Sequence, residues 1–579
     1  MKTPAIPRLA LRALNETRRV DLFSYLSLRY TLSATTSFKN VWSQQMAPEI
    51  VRRRPHQTFL ESKQFKQLDK AGDFEFRELL RPGGPEILAE VALLEACARA
   101  GGLFSPPETV YSYNFPKSNS IVGAYLPYFD LFSARQNDIG QACRKKPGQW
   151  VLYADIRKFY PSVKYAKAAK AWQNACEKSS MASEWKEFGS LLLKRQFSLK
   201  KGMLVGPLFS HLIGNLVLRD VDAKMSKAFP GRYFRYVDDF AIVVPSRKKK
   251  ETITRLRAAL KPLGLKLHPE KLHWIEAKQW EEHAPYQSDE YDNEFIGDEK
   301  WMRFIDHLKC FLMANPQMLE KIRAKFLAAE LRVPLPRYTL DAMSKSYGNR
   351  FNERLESVDF VARLKQINPR ELLGEGLSLR KHYEEEFQSV WAAYCSAKKL
   401  IRRWKLSKVR YLLGRIFLIG SIDKVNEIHR LIHKEPEVAE YAAMFEALVK
   451  RNADALLPFG WKVAASAGQV LAAAAISISS KSKGWQDEHV EAYATLLLTG
   501  AVVDAKIPKR LEDDPRIRIV LGHSSADAWA KMPCSFYREL SALIGGKKLE
   551  DHQKLLQTPA DPDERWEVFA DELLGLDQS

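Results

Sequence analysis

A short acidic segment between two strand-forming runs places the tightest constraint on how this chain folds. Residues 233–237 and 240–244 are rich in aromatic and β-branched side chains, and they flank Asp238 and Asp239. Two such runs separated by two residues predict a β-hairpin with both carboxylates in its turn. A turn keeps side chains at the edge of a sheet, where carboxylates can share divalent cations. An acidic turn without function is the alternative, because Asp favours turns through its own hydrogen bonding.

A second strand-like run, further upstream, carries one more acid. Residues 151–156 are mostly apolar and predict a strand that contains Asp155. A carboxylate buried on a central strand needs a cation or a metal as its partner. Two-metal phosphoryl transfer uses carboxylates that hold ions roughly 3.5 to 4 Å apart. Asp155, Asp238 and Asp239 are therefore the candidate metal ligands.

Between these elements, a glycine-containing loop runs into an apolar helix. Gly202, Gly206 and Pro207 punctuate the loop, and apolar residues recur at helical spacing from Phe209 to Leu216. The glycines allow close backbone approach to a base pair, and Pro207 suits the first turn of a helix whose positive end would face nucleic acid. An ordinary strand-to-helix connection is the alternative interpretation.

In their order along the chain, these segments resemble the motifs of reverse transcriptases. The sequence DIRKFYP, which begins at Asp155, resembles motif A, KGMLVGPLFS resembles motif B, and YVDD resembles motif C. Residues 264–272 resemble motif D, and residues 295–297 resemble the primer-grip turn. The resemblance covers roughly residues 100–300. It implies an α+β fold with right-hand polymerase fingers and palm, in which helices pack on an antiparallel sheet.

The resemblance also implies roles for individual residues. Asp155 and Asp238 match the principal ligands of two Mg²⁺ ions, with Mn²⁺ as an alternative metal, and Asp239 matches the companion acid. Tyr160 matches the aromatic gate beneath the sugar, where a ring excludes ribose and so favours dNTPs and a DNA product. Lys271 matches the motif D lysine that protonates the leaving pyrophosphate, and a plain surface lysine is the alternative.

The candidate nucleotide-binding residues are Tyr160, Lys201, Gly202, Gly206 and Pro207. Lys201 departs from the family pattern, in which Gln commonly precedes the motif B glycine. A charged donor engages phosphate but does not reproduce the contacts of a neutral amide, so template use stays open. In the fingers region, Arg81, Lys117 and the basic run 52–54 are candidates for binding the triphosphate, with a solvated basic face as the alternative.

Composition agrees with a nucleic-acid partner, either DNA product or RNA. The chain has 90 Lys and Arg residues against 70 Asp and Glu, a formal net charge of +20. The six cysteines are dispersed, which favours a reducing compartment, and the N-terminal segment does not resemble a secretory signal. The apolar run 470–478 is too short to cross a bilayer. We therefore expect a cytoplasmic protein without a membrane partner.

After residue 300 the pattern changes from strand-like alternation to helical spacing. It predicts fingers and palm over 1–300 and an all-α, helical-hairpin (HEAT-like) domain over 301–579 in place of a conventional thumb. Gly374 and Gly376 are expected to break the helical run. Seven Lys and Arg residues between 398 and 410 form the densest basic segment, which indicates either a nucleic-acid contact or a solvated helix face.

This layout most resembles the bacterial abortive-infection and unknown-group reverse transcriptases. Retron enzymes are commonly shorter, and group II intron enzymes usually add a maturase segment. The resemblance implies a homo-oligomer that acts in antiphage defence, and some members of that group synthesise DNA without a template from a protein hydroxyl. Two alternatives stay open: an RNA-templated reverse transcriptase of retron or group II intron kind, and a catalytically silent nucleic-acid-binding scaffold.

Overall fold

The computed structural model describes residues 6–18, 21–35, 59–69, 71–117, 123–126, 128–198, 202–283, 299–335, 368–397, 399–472, 476–478, 485–502, 507–522 and 534–557. The chain divides into two compact units, each made of separate segments. The first comprises residues 1–16, 35–60 and 79–296, and the second comprises 17–34, 61–78 and 297–579. The contiguous domains 1–300 and 301–579 stay a prediction.

The described strands form two sheets. They are β1 (Leu60–Leu68), β2 (Phe74–Arg81), β3 (Gln149–Asp155), β4 (Tyr233–Tyr236), β5 (Asp239–Pro245) and β6 (His273–Glu276). Strands β1 and β2 pair with each other, and the other four form an antiparallel sheet in the order β4-β5-β3-β6.

The described α-helices occur in both units. They are α1 (Ile6–Arg18), α2 (Leu22–Thr35), α3 (Gly84–Ala100), α4 (Tyr128–Arg144), α5 (Phe159–Ser162), α6 (Tyr165–Glu177), α7 (Ser183–Gln196), α8 (Leu208–Ala228), α9 (Lys249–Leu260), α10 (Ala277–His283), α11 (Glu299–Ala314), α12 (Leu319–Ala328), α13 (Pro369–Ser396), α14 (Lys399–Ile419), α15 (Ile422–Ile432), α16 (Ala439–Lys450), α17 (Trp461–Leu471), α18 (Asp487–Thr499), α19 (Pro515–Val520), α20 (Ser535–Ile544) and α21 (Leu549–Gln557). None of these helices combines the length and apolarity that a bilayer crossing requires.

The four-stranded sheet lies in the core of the first unit. Val151 and Leu152 of β3 and residues 240–243 of β5 are fully buried, as the uninterrupted apolar runs of both strands predict. Helices α4, α9 and α10 pack on β3, β5 and β6, and α8 packs on β4. The predicted α+β architecture with a small antiparallel sheet is therefore confirmed.

The hairpin turn lies one residue earlier than the sequence predicts. Strand β5 begins at Asp239, which pairs with Tyr236 of β4, so Val237 and Asp238 form the two-residue turn. The expectation that both aspartates occupy the turn was wrong because Asp239 joins the ladder. As a result, Asp239 is paired with two neighbouring strands, whereas Asp238 lies in the turn between them.

Helices and 3-10 turns make up the regular elements described between residues 299 and 557 of the second unit. Helix α13 packs along α14, α15 along α16, and α17 along α18. Gly374 and Gly376 lie inside α13, so the predicted break was wrong. Asn368 caps the N-terminus of this helix with a capping box. A Cβ at Gly376 would lie 2.7 Å from Leu331 Cδ1, so a larger residue there would require the Leu331 side chain to shift.

Part of the basic segment is neutralised within the second unit. Three ion pairs do this: Arg402 with Glu435 at 2.7 Å, Lys408 with Glu386 at 2.9 Å, and Arg410 with Glu440 at 3.5 Å. Each of these cations lies on α14 and meets an acid of another helix or turn. Their charge is thus explained by helix packing without a nucleic-acid partner.

Candidate active site

Two strands bring together acids that are far apart along the chain. Asp155 ends β3 and lies directly opposite Asp239 of β5. The amide of Ile156 donates to the carbonyl of Asp238 at 3.3 Å, so the Asp155–Asp239 pair is of the non-hydrogen-bonded type. In such a pair the Cα atoms lie about 4.5 Å apart and the side chains project from the same face. The predicted convergence of the first acid with the hairpin acids is therefore present.

The electrostatics of this cluster favour a bound cation. Burial is the main cause that raises the pKa of Asp238, and the charges of Asp239 and Asp155 raise it further. Burial also raises the pKa of Asp239, against the opposing effect of the Arg135 guanidinium. Arg135 is fully buried on α4 and donates to the carbonyl oxygen of Asp239 at 3.2 Å. Carboxylates that lie close together and away from solvent need positive charge nearby in order to stay ionised.

Lys271 supplies one positive charge. It ends a 3-10 turn, Pro269–Lys271, and its ammonium forms an ion pair with Asp155. The segment is attached to the site through its backbone, because the amide of His268 donates to the Asp155 carbonyl at 2.8 Å. The predicted motif D lysine thus lies at the first of the three acids.

The donor atoms suit a hard divalent cation. Carboxylate oxygens are the ligands that Mg²⁺ and Mn²⁺ prefer. In the part of the chain that the structure describes, no three His, Cys, Asp or Glu side chains are arranged to hold a metal ion. The Lys271 ammonium instead serves as the cation at Asp155. The residues therefore fit the metal by charge and donor type. Because Asp155 is paired with Lys271, a metal ion would have to share the Asp155 carboxylate with this ammonium or displace it.

A buried ion pair holds the turn that carries Asp238. Arg235 donates from Nε and Nη2 to the two carboxylate oxygens of Asp222, each at 2.7 Å, and both side chains are 1% exposed. Arg235 Nη1 also donates to the Val237 carbonyl at 2.7 Å, and the Val237 amide donates to Ser112 Oγ at 2.8 Å. Val237 has a φ of 51°, a left-handed conformation that is strained for a β-branched residue. These bonds hold the strained residue and so fix the direction of Asp238.

Sequence reasoning missed this network. Its signal was a charged residue, Arg235, inside the first strand run of the hairpin, together with Asp222 on the apolar helix α8. Charged residues are rarely buried unless they are paired, so each could have been recognised as a candidate for pairing.

The glycines of the motif B loop allow close approach to the protein's own backbone. A Cβ at Gly202, which has a φ of 78°, would overlap the carbonyl of Pro161, and one at Gly206, with a φ of 122°, would overlap the carbonyl of Leu80. The amide of Leu80 donates to Val205 at 2.9 Å, so the loop is joined to β2. Lys201 lies outside the described residues. The nucleotide-binding role of the loop stays a prediction.

The helix that follows this loop begins at a buried acid. Pro207 is the N-cap of α8, and Glu90 on α3 accepts from the amides of Leu208 at 2.6 Å and Phe209 at 3.4 Å. Glu90 is fully buried, and burial raises its pKa to about 8. The first amides of this helix are therefore engaged by a carboxyl of the chain itself, and a contact of the helix end with nucleic acid stays a prediction.

Tyr160 occupies a buried position on the short helix α5, with its hydroxyl 2.7 Å from Nδ1 of His211 on α8. Of the fingers candidates, Arg81 is buried at the end of β2 and Lys117 is exposed. The basic run 52–54 and the primer-grip residues 295–297 lie outside the described residues. His211 was not anticipated from the sequence, since a single histidine on an apolar helix carries no motif.

Comparison with known proteins gives a family match for the part of the chain that carries these acids. The family model described as "Reverse transcriptase (RNA-dependent DNA polymerase)" matches residues 109–321, which include all three acids and Lys271. No curated protein matches the sequence. Among solved structures, apo telomerase from Candida Tropicalis is 10% identical with a TM-score of 0.28, over 71% of this chain and 74% of that chain. So low a score carries no argument about shared structure.

Proposed function

We propose that dNTPs react at Asp155, Asp238 and Asp239. The premise is that residues 109–321 form a reverse transcriptase domain and hence an RNA-directed DNA polymerase. The observation that carries this proposal is the register of β3 and β5, which sets Asp155 against Asp239 beside the Asp238 turn. Acids brought together from two strands are the arrangement that nucleotidyl transfer requires.

Two Mg²⁺ ions would be held by Asp155 and Asp238, with Asp239 as the companion acid. When bound, the ions would lower the pKa of the attacking hydroxyl and neutralise charge on the leaving pyrophosphate. The chain itself contributes the positions of these carboxylates. Arg235 fixes the Asp238 turn through Val237, and strand pairing fixes Asp155 and Asp239.

Lys271 is the chain's candidate proton donor. A hydroxyl oxygen bonds to the α-phosphorus of a dNTP, the bond from that phosphorus to the bridging oxygen breaks, and pyrophosphate leaves. The hydroxyl proton passes to solvent, and the Lys271 ammonium donates a proton to the departing pyrophosphate. The ion pair with Asp155 holds this ammonium beside the reacting groups.

The subgroup is proposed from the layout of the chain. We infer a defence-associated enzyme that acts in the cytoplasm as a homo-oligomer and synthesises DNA without a template from a protein hydroxyl. We also infer that 301–579 is an all-α, helical-hairpin domain in place of a thumb. This is supported by the paired helices α13 with α14 and α15 with α16, and by the helical character of the other regular elements described there.

The first experiment tests the acids. Purified chain with Mg²⁺ and labelled dNTPs is assayed with a primed RNA template and, separately, with neither template nor primer. Asp238→Asn keeps the side-chain volume and removes one charge, so the rate should fall on the order of 10²- to 10³-fold or more. Asp220→Asn is the matched control, because Asp220 is exposed on α8 and should leave the rate unchanged. Activity that survives Asp238→Asn would refute the proposed site.

The second experiment tests priming and template use. The product made without template or primer should stay with the protein through denaturation and be released by protease. Synthesis that requires both additions would instead identify a templated enzyme of retron or intron kind. Absence of synthesis under both conditions, with retained binding of nucleic acid, would identify the silent scaffold.

A further inference from the structure

Side chains outside motif A fix the position of the Tyr160 ring. Its hydroxyl lies 2.7 Å from His211 Nδ1, and it also has the Tyr113 side chain as a hydrogen-bonding partner. The edge of the ring lies against α8 at Gly214, where an added Cβ would be 3.5 Å from Tyr160 Cε1. The Phe159 ring packs on it at a centroid distance of 5.0 Å. The ring is therefore held by both its polar end and its edge.

His211 is in turn held by Tyr113. The two rings stack with centroids 4.0 Å apart and an interplanar angle of 11°. Tyr113 has a φ of 55°, a left-handed conformation that is unfavourable for a residue other than glycine. Tyr125 packs edge-on against the same Tyr113 ring at 5.2 Å. Such a conformation persists only where neighbouring contacts determine it, and here these contacts place the Tyr113 ring on His211.

The contact between Tyr160 and His211 is a bond between neutral groups. Burial lowers the pKa of His211 to about 3, and burial raises the pKa of Tyr160 well above its ordinary value. Neither group changes charge near neutral pH. The bond therefore acts by direction and distance, and it holds the ring in one rotamer.

We propose that the Tyr113–His211 stack is a positioning device for Tyr160 that sets how strongly the enzyme selects deoxyribose over ribose. The inference rests on the proposed polymerase function and on the role of Tyr160 that the resemblance to motif A implies, a ring beneath the incoming sugar. A ring held in one rotamer excludes the 2′-hydroxyl by contact. Without its hydrogen-bond partner on α8, the ring gains further rotamers, some of which leave room for ribose. His211 and Tyr113 are positioning residues, because neither needs to touch the nucleotide.

The test compares kcat/KM for a dNTP and the matching rNTP in three variants. His211→Phe keeps a ring for stacking and removes the hydrogen-bond partner of Tyr160. It should lower the dNTP-to-rNTP ratio about three- to tenfold, the range of one neutral hydrogen bond. The change should come from a lower KM for the rNTP, with kcat for the dNTP retained. Tyr160→Phe removes this bond from the other side, together with the contact to Tyr113, and should lower the ratio at least as far. The double variant should fall no further than Tyr160→Phe, because that variant already lacks the bond to His211.

A second tyrosine–histidine bond provides the matched control. In the other unit, Tyr30 Oη lies 2.7 Å from His552 Nδ1, and the rings are perpendicular at 5.7 Å. His552→Phe should leave sugar selection unchanged. If wild-type protein polymerises dNTPs while neither His211→Phe nor Tyr160→Phe changes the ratio, the positioning device is refuted and the polymerase stands. If wild-type protein makes no more product than Asp238→Asn, the proposed function itself fails.

Discussion

The buried pair of Arg235 and Asp222 gives the sharpest prediction about the turn that carries Asp238. Asp222→Asn leaves a guanidinium in a site where both side chains are 1% exposed. Removing one partner of a buried ion pair costs about 3 to 5 kcal/mol, since the other charge stays desolvated. That is a large fraction of the roughly 5 to 15 kcal/mol that stabilises a typical domain.

The assay must separate stability from the position of Asp238. Hydrogen–deuterium exchange of peptides from 233–244 reports local opening, and urea denaturation reports global stability. The double variant Arg235→Met with Asp222→Leu replaces the pair by apolar side chains, a change that is often neutral or stabilising. It still removes the donor to the Val237 carbonyl. We therefore expect stability near that of the wild type, with faster exchange around the turn and a lower kcat.

The control is an exposed ion pair of the same chain. Arg255 and Glu251 are 54% and 46% exposed, so Glu251→Gln should change stability by less than about 1 kcal/mol. The reasoning is refuted if Asp222→Asn costs no more than Glu251→Gln. It is also refuted if the double variant recovers kcat together with stability, because the bond to Val237 would then be irrelevant to Asp238.

Three further predictions follow from the same site. Gly206→Ala should lower the thermal denaturation temperature more than Gly264→Ala. Both glycines have a positive φ, but only a Cβ at position 206 would meet a backbone carbonyl. Burial raises the pKa of Glu90 from an ordinary 4.5 to about 8 in the folded chain. Between these two pH values the folded chain keeps a proton that the unfolded chain releases, so the free energy of unfolding falls as pH rises. Glu90→Gln should remove this pH dependence from denaturation midpoints measured between about pH 4.5 and 8. Lys271→Met should lower kcat about 10²- to 10⁴-fold with little change in KM for dNTPs, as expected for a lost proton donor, and an unchanged kcat would identify a plain surface lysine.

Local pattern was enough to predict several elements of the reverse transcriptase domain. Apolar and β-branched runs predicted β3, β4 and β5, and helical spacing after Pro207 predicted α8. Side-chain periodicity is a property of neighbouring residues, so it can be read without a fold. Local signals also misled, because Gly374 and Gly376 lie inside α13 despite the low helix propensity of glycine. Gly376 packs closely against Leu331, a contact between segments that the local pattern does not show.

The sequence by itself determined which acids are the candidates for catalysis and which strand-forming runs lie beside them. Only the tertiary structure decided that Asp155 faces Asp239, that Asp222 neutralises Arg235, and that His211 meets the hydroxyl of Tyr160. Strand register and the choice of a buried partner depend on contacts between segments far apart in the chain, and burial makes each unpaired alternative costly. Residue types therefore indicate which chemistry is feasible, while packing sets the distances and directions between the groups that would carry it out.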